Sequence, residues 1–295
     1  MNIAARGRAI PPLLFLMVLL LGGCASASRE IAEGQRQSAQ ENGGYEGTVQ
    51  PLEQPVELAY GAVAPLGFRI ELLAERDGGE SLDSLLEGRV QIAGAGESLE
   101  LEADLLVMEI NGRSFATRGV VLGSVRQRLG PRGPSGLAEG DFAGLSAVAR
   151  RGDEPVLDQI GAMAREDIAG LAQQRFPDRP LAEGDRLAGT DEVLARFKLS
   201  GPIARLTSDS DIGLHVAGRT VWQGRPAVFA RYRGGADLFL PQDPPAAARM
   251  EVGGYSVIDL ASGIELEGLA SLQVKGVAGA ASGLNAVQRS RLLAE

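Results

Sequence analysis

Hydrophobic and polar residues alternate with a period of two through much of the chain from about residue 56 onward. In the first such run, the polar or small positions alternate with Leu66, Phe68, Ile70 and Leu72. Another run, over residues 99–107, places Glu100, Glu102 and Asp104 between aliphatic residues. In a β-strand this period puts one face against a core and the other in water. We therefore predict antiparallel strands over residues 56–276.

Turn signals separate these runs. Asn111-Gly112 lies between two strand-like segments, and both residues accept the positive φ of a tight hairpin turn. Residues 222–226 predict a second turn and residues 259–263 a third. In the third turn we expect Asp259 to bond the turn backbone and Gly263 to adopt the left-handed conformation.

One long amphipathic helix is predicted over residues 153–176. Asp153 can cap it, Pro155 suits its first turn, and Pro177 ends it. Its apolar stripe at three- and four-residue spacing comprises Leu157, Ile160, Ala164, Ile168 and Leu171. The predicted fold class is mainly β (α+β): a curved antiparallel sheet or partly open barrel with this helix packed on it. Because Leu-Ala-Glu-Gly-Asp occurs at 137–141 and again at 181–185, two β-lobes flanking the helix are an alternative layout.

The first 23 residues have the pattern of a signal peptide. Arg6 and Arg8 precede the apolar run 13–21, which at nine residues is shorter than the roughly 20 that span a bilayer. The segment ends in Leu21-Gly22-Gly23-Cys24. We predict cleavage between Gly23 and Cys24.

That four-residue ending resembles the lipobox of bacterial lipoproteins. The resemblance implies that Cys24 carries a diacylglycerol thioether and an acylated amine, which anchor the protein to a membrane. Ala25 follows the cysteine where inner-membrane retention signals have Asp, and this resembles the pattern sent to the outer membrane. The implied location is the bacterial cell envelope, at the outer membrane facing the periplasm. No cofactor besides this covalent lipid is expected.

The two ends of the mature chain are predicted to lie outside the core. Residues 24–55 are polar and small, which predicts a flexible tether after the lipidated cysteine. Residues 277–295 are rich in small residues and predict a C-terminal tail or a short helix at 286–293.

Composition excludes several kinds of partner. Removing residues 1–23 takes away two arginines and no acid, leaving 27 Lys and Arg against 38 Asp and Glu, a net charge of −11. Such a surface repels phosphate backbones, so no nucleic-acid partner is expected. Because Cys24 is the only cysteine, no internal disulfide and no cysteine metal site is predicted.

Catalytic and metal motifs are weak. His215 is the only histidine and is predicted on the solvent side of a strand. Residues 208–211 (Ser-Asp-Ser-Asp) suit Ca²⁺ chemically but are better interpreted as a solvated turn. Residues 144–148 lack the closing glycine of a nucleophile elbow, and residues 94–99 lack the third glycine of a dinucleotide loop. We predict no catalytic residue and no metal site.

Residues 254–263 carry the last resemblance. Their Asp-x-x-Ser-Gly turn, Asp259 to Gly263, is similar to one in periplasmic lipoprotein carriers and receptors of the outer-membrane localisation type. That family folds as an unclosed barrel with helices over a hydrophobic cavity. The resemblance implies a non-enzymatic envelope lipoprotein that binds a hydrophobic ligand or lipid. The alternatives are a structural or assembly module docking on another envelope protein, and a hydrolase that uses two carboxylates.

The lipidation hypothesis predicts the behaviour of a Cys24→Ser variant. Without the thiol no thioether can form, so radiolabelled palmitate should not be incorporated and the protein should not be processed at Gly23. A Ser26→Ala variant is the control and should be labelled like the wild type. Equal labelling of Cys24→Ser and wild type would contradict lipidation at Cys24.

Overall fold

The computed structural model describes residues 25–76, 80–96, 98–148, 154–196, 205–206, 211–240, 246–276 and 283–293. Cys24 and the predicted signal peptide lie outside this range. The helices are α1 (Ala25–Ser38), α2 (Ala143–Val148), α3 (Glu154–Ala169) and α4 (Thr190–Arg196), with a 3-10 turn at Gly170–Ala172 after α3. None of the described helices is long and apolar enough to cross a membrane.

Strands dominate the described part of the chain. Their bounds are β1 (Val63–Arg76), β2 (Glu80–Ala95), β3 (Ser98–Ile110), β4 (Arg113–Ser114), β5 (Gly123–Gly130), β6 (Gly133–Pro134), β7 (Glu139–Asp141), β8 (Arg186–Ala188), β9 (Arg205–Leu206), β10 (Gly213–Trp222), β11 (Arg225–Arg233), β12 (Gly235–Leu240), β13 (Ala246–Asp259), β14 (Glu265–Gly276) and β15 (Leu284–Leu293).

These strands form one curved, unclosed antiparallel sheet, which confirms the predicted mainly β fold. Its order is β6-β5-β3-β2-β1-β15-β14-β13-β11-β10-β8, and the four remaining strands pair at its sides. All neighbours in this order but one are consecutive in sequence or separated by a single strand. The exception is β1 with β15, paired from Gly67↔Leu293 to Arg76↔Leu284, which joins the first and last parts of the chain. Both strand-rich parts therefore belong to a single sheet.

The first half of the sheet, β1 to β5, follows the predicted alternation. Its inner face carries apolar side chains, including Phe68, Ile70, Leu86, Val90, Leu101 and Val125. Its outer face is charged: Arg69 contacts Glu87 at 2.7 Å, and the Gln91 amide donates to Glu102 at 2.6 Å. Charges on one side and aliphatic residues on the other make this half a one-sided sheet.

The second half, β10 to β15, is buried on both faces. On the outer face, Phe229 and Tyr255 stack with ring centroids 6.0 Å apart, and the Tyr45 ring lies 5.2 Å from each of them. Helix α1 covers the neighbouring part of this face. Its Ile31 is 2% exposed, and Ser38 Oγ lies 2.5 Å from Ser271 Oγ.

The segment predicted as a flexible tether, 24–55, is therefore ordered from Ala25 onward and covers the outer face. Two isolated β-bridges attach its later part to the rest of the protein: Gln50↔Arg219 lies within the segment, and Val56↔Leu181 follows it directly. The prediction missed this because the segment has few apolar residues. Those it has include Ile31, which is buried, and Tyr45, whose ring packs on Phe229 and Tyr255. Burial of these side chains offsets the entropic cost of ordering the segment.

The predicted helix 153–176 is shorter in the structure. Helix α3 ends at Ala169, and Gly170 begins a 3-10 turn that buries Leu171 against the sheet. Glycine disfavours helix continuation, which explains the early end. The predicted apolar stripe is nevertheless buried throughout, and Asp153 lies outside the described residues.

The predicted C-terminal tail or short helix is a strand at the centre of the sheet. The sequence did not predict β15 because the inner face of this strand carries Gln288 and Ser290 between Ala286 and Leu292. Polar residues at core positions broke the apolar alternation that predicts a strand.

The turns follow the sequence more closely. Asn111 and Gly112 have φ of 49° and 74°, and Gly263 has φ of 67°, as predicted. The Asp259 carboxylate does not bond the turn backbone; it accepts hydrogen bonds from Arg225 Nη2 at 2.7 Å and Ser262 Oγ at 2.5 Å. The turn is closed instead by the Gly263 N–H donating to the Asp259 carbonyl at 2.9 Å.

Truncating a side chain of α1 tests whether this helix packs on the sheet or is a flexible tether. We expect Ile31→Ala to lower the free energy of unfolding by about 2–4 kcal/mol, because it leaves a cavity between α1 and the sheet. Urea unfolding followed by circular dichroism measures this. Val221→Ala, at a side chain 65% exposed, is the control and should change little. An Ile31→Ala protein as stable as the wild type would show that α1 does not pack.

Candidate functional site

A cavity of about 570 Å³ separates the inner face of the sheet from α3 and the 3-10 turn. Three parts of the structure line it: the sheet, the helical layer, and the loop that joins β6 to β7. We call it the inner cavity, and its lining residues are Ile70, Gln127, Gly136, Leu137, Ala138, Gln159, Ala162, Met163, Arg165, Glu166, Asp167, Ala169, Gly170, Leu171, Gln173, Arg196, Glu265, Gln288 and Ser290.

Apolar side chains form much of the inner cavity. Ile70 of β1 and Leu171 of the 3-10 turn are buried, and Met163 of α3 faces them from the helical layer. Leu137 at the rim is 93% exposed. The inner cavity therefore runs from an exposed apolar rim to a buried interior, and its volume falls within the range of small-molecule sites.

An ion pair lies at the floor of the inner cavity. Arg196 at the end of α4 contacts Glu265 at the start of β14 through two parallel hydrogen bonds, Nη1 to Oε2 at 2.8 Å and Nη2 to Oε1 at 2.6 Å. The two side chains are 6% and 2% exposed. Ser256 Oγ also donates to Glu265 Oε2 at 2.7 Å, and the Ser290 hydroxyl donates to Oε1. A buried pair of this geometry has its charges compensated by surrounding donors.

The remaining donors of Arg196 extend the network. Its Nε donates to Gln288 Oε1 at 3.1 Å, and its Nη1 donates to the Tyr232 hydroxyl at 2.8 Å. The Gln288 amide in turn lies 3.4 Å from Asp167 Oδ1 on α3. The network thus connects the helical layer to four strands of the sheet, β11, β13, β14 and β15.

Burial and the neighbouring positive charge shift the pKa of Glu265 in opposite directions. Burial by itself would raise the pKa of Glu265, but the charge of Arg196 and the hydrogen bonds from Arg196, Ser290 and Ser256 outweigh it, so the pKa lies below its usual value. Burial raises the pKa of Tyr232 to about 12. At neutral pH Glu265 and Arg196 are both charged, and their sum is neutral.

Two glutamine residues that line the inner cavity each have a buried side-chain oxygen without a hydrogen-bond partner among the described residues. Among the described residues, Gln127 Oε1 on β5 and Gln159 Oε1 on α3 are buried and accept no hydrogen bond. Gln127 belongs to the sheet and Gln159 to the helical layer. A buried acceptor without a donor costs about 1–3 kcal/mol, so each oxygen lowers the stability of the fold.

The residues singled out in the sequence lie elsewhere. Cys24 is outside the described range. His215 is half-buried on β10 in a second cavity of about 410 Å³, with its Nδ1 3.4 Å from the Gly184 carbonyl. Of the 208–211 segment only Asp211 is described, and it is exposed. No group of three or more His, Cys, Asp or Glu side chains within the described ranges is arranged to hold a metal ion.

The inner cavity residues were missed although the sequence carries a signal for some of them. Gln127 occupies the buried position between Val125 and Leu129, where the alternation calls for an apolar residue. Glu265 sits between Ile264 and Leu266, both fully buried. A polar residue at a core position is the pattern that indicates such a site.

Breaking the ion pair should destabilise the protein strongly. We expect Glu265→Gln to lower the free energy of unfolding by about 3–5 kcal/mol at pH 7, because Arg196 is left buried without a countercharge. Glu251→Gln, at the exposed Arg249–Glu251 pair, is the control and should cost no more than about 1 kcal/mol.

The same pair also predicts a pH dependence. Because folding lowers the pKa of Glu265, its stabilisation is present above the unfolded-state pKa of about 4.3 and is lost as the pH falls from there through the folded-state value. Urea unfolding at pH 7 and below pH 4 should show a smaller loss for Glu265→Gln than for the wild type. Equal losses would contradict the assigned protonation state.

Solved structures similar to this chain include a DUF1329 family protein and DynF. No family model matches the chain, and no curated protein matches it. A DUF1329 family protein from Desulfovibrio piger ATCC 29098 is 7% identical over 92% of each chain, with a TM-score of 0.24. DynF from the dynemicin biosynthesis pathway of Micromonospora chersina is 12% identical over 85% of this chain and 96% of its own, with a TM-score of 0.20. At these scores neither likeness carries an argument about function.

Proposed function

We propose that this protein is a non-enzymatic lipoprotein of the bacterial cell envelope that binds a hydrophobic ligand in the inner cavity. The observation that carries the proposal is the inner cavity itself, a space of about 570 Å³ between the sheet and the helical layer that is lined in part by apolar side chains. Each methylene of an acyl chain moved from water to such walls contributes about 0.8 kcal/mol. Ile70, Met163 and Leu171 supply this environment.

A module that only docks on another envelope protein remains the alternative, and it has less support. Such a module needs an extended apolar patch or a free strand edge. At the two ends of the strand order the edges are partly covered: β6 and β7 pair with β5, while β8 and the Gln50↔Arg219 bridge pair with β10. The exposed large apolar residues include Val221 and Leu293 on separate strands, which is ordinary for a protein surface.

A carboxylate-dependent hydrolase has the least support. A general acid needs a carboxyl group whose pKa is raised toward neutrality. The pKa of Glu265, the buried carboxylate at the floor of the inner cavity, is instead lowered because Arg196 holds its charge. This favours a structural role for Glu265 over an acid role.

The proposed anchor has a geometric consequence. Helix α1 begins at Ala25, directly after Cys24, and it packs on β1, β13, β14 and β15. A lipid on Cys24 would therefore hold the outer face of the second half of the sheet close to the bilayer. The inner cavity, on the opposite face, would be directed away from the anchored side.

Lipid extraction tests the proposal. Every described helix and strand lies between Ala25 and Leu293, so the protein beginning at Ala25 retains the whole described fold and carries no anchor. Purified from the periplasm, it should release a stoichiometric acyl lipid into organic solvent, detected by mass spectrometry.

A cavity-filling variant locates the ligand. Ala162→Phe places a ring in the inner cavity and should reduce the extracted lipid at least about tenfold, while Ala116→Phe, on an exposed loop, should not. Absence of lipid from a cooperatively folding wild type would contradict the proposal. So would an equal lipid content in the two variants.

A further inference from the structure

We propose that the second cavity binds a small zwitterion, with its anionic group held by Arg231 and Arg233 and its ammonium group at exposed carboxylates of the same cavity. The second cavity is the space of about 410 Å³ that His215 lines. It lies on the outer face of the sheet, where Phe229 and Val49 also line it. The inference therefore does not depend on the ligand of the inner cavity.

Basic side chains occupy the sheet side of the second cavity. Arg231 and Arg233 are two residues apart on β11, so they lie on the same face as the buried Phe229. His215 on β10 is the direct partner of Arg231 in the antiparallel pair. Direct partners have Cβ atoms about 4.5–5.5 Å apart, and residues two apart on a strand are about 6.5–7 Å apart. The two arginines and the histidine are therefore neighbours along one cavity.

The two arginines have no ion-pair partner in the described part of the chain. Earlier on the same strand, Arg225 contacts Asp259 at 2.7 Å. Neither Arg231 nor Arg233 forms such a pair with a carboxylate of the described residues. Arg231 Nη2 donates to the Gln40 carbonyl at 3.2 Å, a contact that positions the guanidinium but does not neutralise its charge.

The surroundings of Arg231 disfavour its positive charge. Burial has the largest effect and the charge of Arg233 the next, and both lower the pKa of Arg231, while the charge of Glu41 raises it. Like charges at neighbouring positions of a sheet are destabilising. An anion between the two guanidinium groups would relieve this repulsion, because arginine binds carboxylates and other oxyanions through paired N–H donors.

The same cavity also has acidic side chains, which we call the rim carboxylates. They are Glu41, Glu183 and Asp211, and all three are exposed. A simple anion would be attracted by two arginines and repelled by three carboxylates, and a simple cation would experience the reverse. A zwitterion gains from both kinds of group when its anionic end lies at the arginines and its ammonium end at the rim carboxylates.

The rim carboxylates come from three separate segments. Glu41 follows α1, Glu183 precedes β8, and Asp211 precedes β10. Glu183 Oε2 accepts a hydrogen bond from the Leu52 N–H at 3.2 Å, and the Asp211 N–H donates to the Gly235 carbonyl at 3.4 Å. These contacts hold the acids at the cavity without pairing them to the arginines. The space between the two kinds of charge is one that a ligand of a few atoms can bridge.

The chemistry that fits this cavity is an oxyanion and an ammonium group a few atoms apart. An ammonium group offers three N–H donors to carboxylates. Two sources have this chemistry: a free aminocarboxylate or aminosulfonate, and the ethanolamine phosphate head of a phospholipid. The volume of about 410 Å³ lies in the range of small-molecule sites and admits either one.

Three small probes test this chemistry. Taurine carries a sulfonate and an ammonium group, isethionate has a hydroxyl in place of the ammonium group, and ethylamine lacks the sulfonate. Isothermal titration at pH 7 would use the protein beginning at Ala25, which retains the whole described fold. We expect taurine to bind about tenfold or more tighter than either of the other two, because it alone pairs with both kinds of charge.

Neutralising one arginine tests the anionic end of the site. Arg233→Gln, at an exposed side chain, should weaken the binding of taurine about tenfold. Its unfolding temperature should equal or exceed that of the wild type, because a like charge beside Arg231 is removed. Arg249→Gln, at an exposed arginine of β13 outside the second cavity, is the matched control and should bind taurine as the wild type does. An unchanged taurine affinity of Arg233→Gln would overturn the inference.

Neutralising the rim carboxylates tests the ammonium end. The Glu41→Gln/Asp211→Asn double variant should bind taurine about tenfold more weakly, because the attraction for the ammonium group is lost. It should bind isethionate at least as tightly as the wild type, because the repulsion of the sulfonate is lost as well. Glu46→Gln, exposed in the same segment as Glu41 but outside the cavity, is the control. Weaker binding of both probes by the double variant would contradict the role assigned to these acids.

Vesicles distinguish the two sources of the ligand. Sedimentation would compare vesicles of phosphatidylethanolamine and phosphatidylglycerol with vesicles of phosphatidylglycerol alone. Binding that requires phosphatidylethanolamine and is weakened by Arg233→Gln would identify a lipid head, and binding of taurine without vesicles would identify a free zwitterion. Binding of isethionate or ethylamine as tight as that of taurine overturns the proposal, and so does an absence of binding by taurine and by both kinds of vesicle.

Discussion

The buried pair of Arg196 and Glu265 is the interaction on which the interior depends. It lies beside the one long-range joint of the sheet, where Ser290 of β15 pairs with Ile70 of β1. A charged pair inside a protein is tolerated only when its remaining hydrogen-bonding groups are also satisfied. Tyr232, Ser256, Gln288 and Ser290 satisfy them, and they come from the inner faces of three strands, β11, β13 and β15. Several strands therefore carry polar residues at core positions, where these residues form hydrogen bonds with the ion pair.

That requirement explains why the interior contains a cavity. The inner face of β1, β2 and β3 is aliphatic and would pack closely against an apolar helix. Below α3, however, the sheet presents Gln127, Gln288 and Ser290, and α3 itself presents Gln159 and Asp167. Polar groups hold their partners at hydrogen-bonding distances and directions, so these surfaces cannot collapse on one another as apolar side chains do. The space that remains has apolar walls and polar positions, which is the composition of a binding site.

The outer face of the sheet differs from the inner face because the chain packs its own first described segment against it. In the first half of the sheet, charged residues such as Arg69, Glu87 and Glu102 lie on this face, and α1 packs on it at β1. In the second half the same face carries Phe229 and Tyr255, and the chain covers it with its own first described segment, through Ile31 of α1 and the ring of Tyr45. The residue next to the proposed lipid site thus belongs to the folded structure, so anchor and sheet would be closely coupled. The inner face, free of this cover, is left to the helical layer and the cavity.

The sequence by itself determined the local features: alternating strands in the first half, the Asn111-Gly112 turn, the left-handed Gly263, and an apolar helical stripe ending near Leu171. These depend on neighbours a few residues apart, so a local pattern predicts them. Only the tertiary structure decided that β15 is a central strand, that residues 25–56 cover the sheet, and that Arg196, Glu265, Gln127 and Gln159 surround one cavity. Arg196 and Glu265 are far apart in the chain, and their polarity alone is typical of surface residues. Long-range pairing of β1 with β15 joins the two halves of the sheet beside this pair, and no local period can connect positions so far apart in the chain.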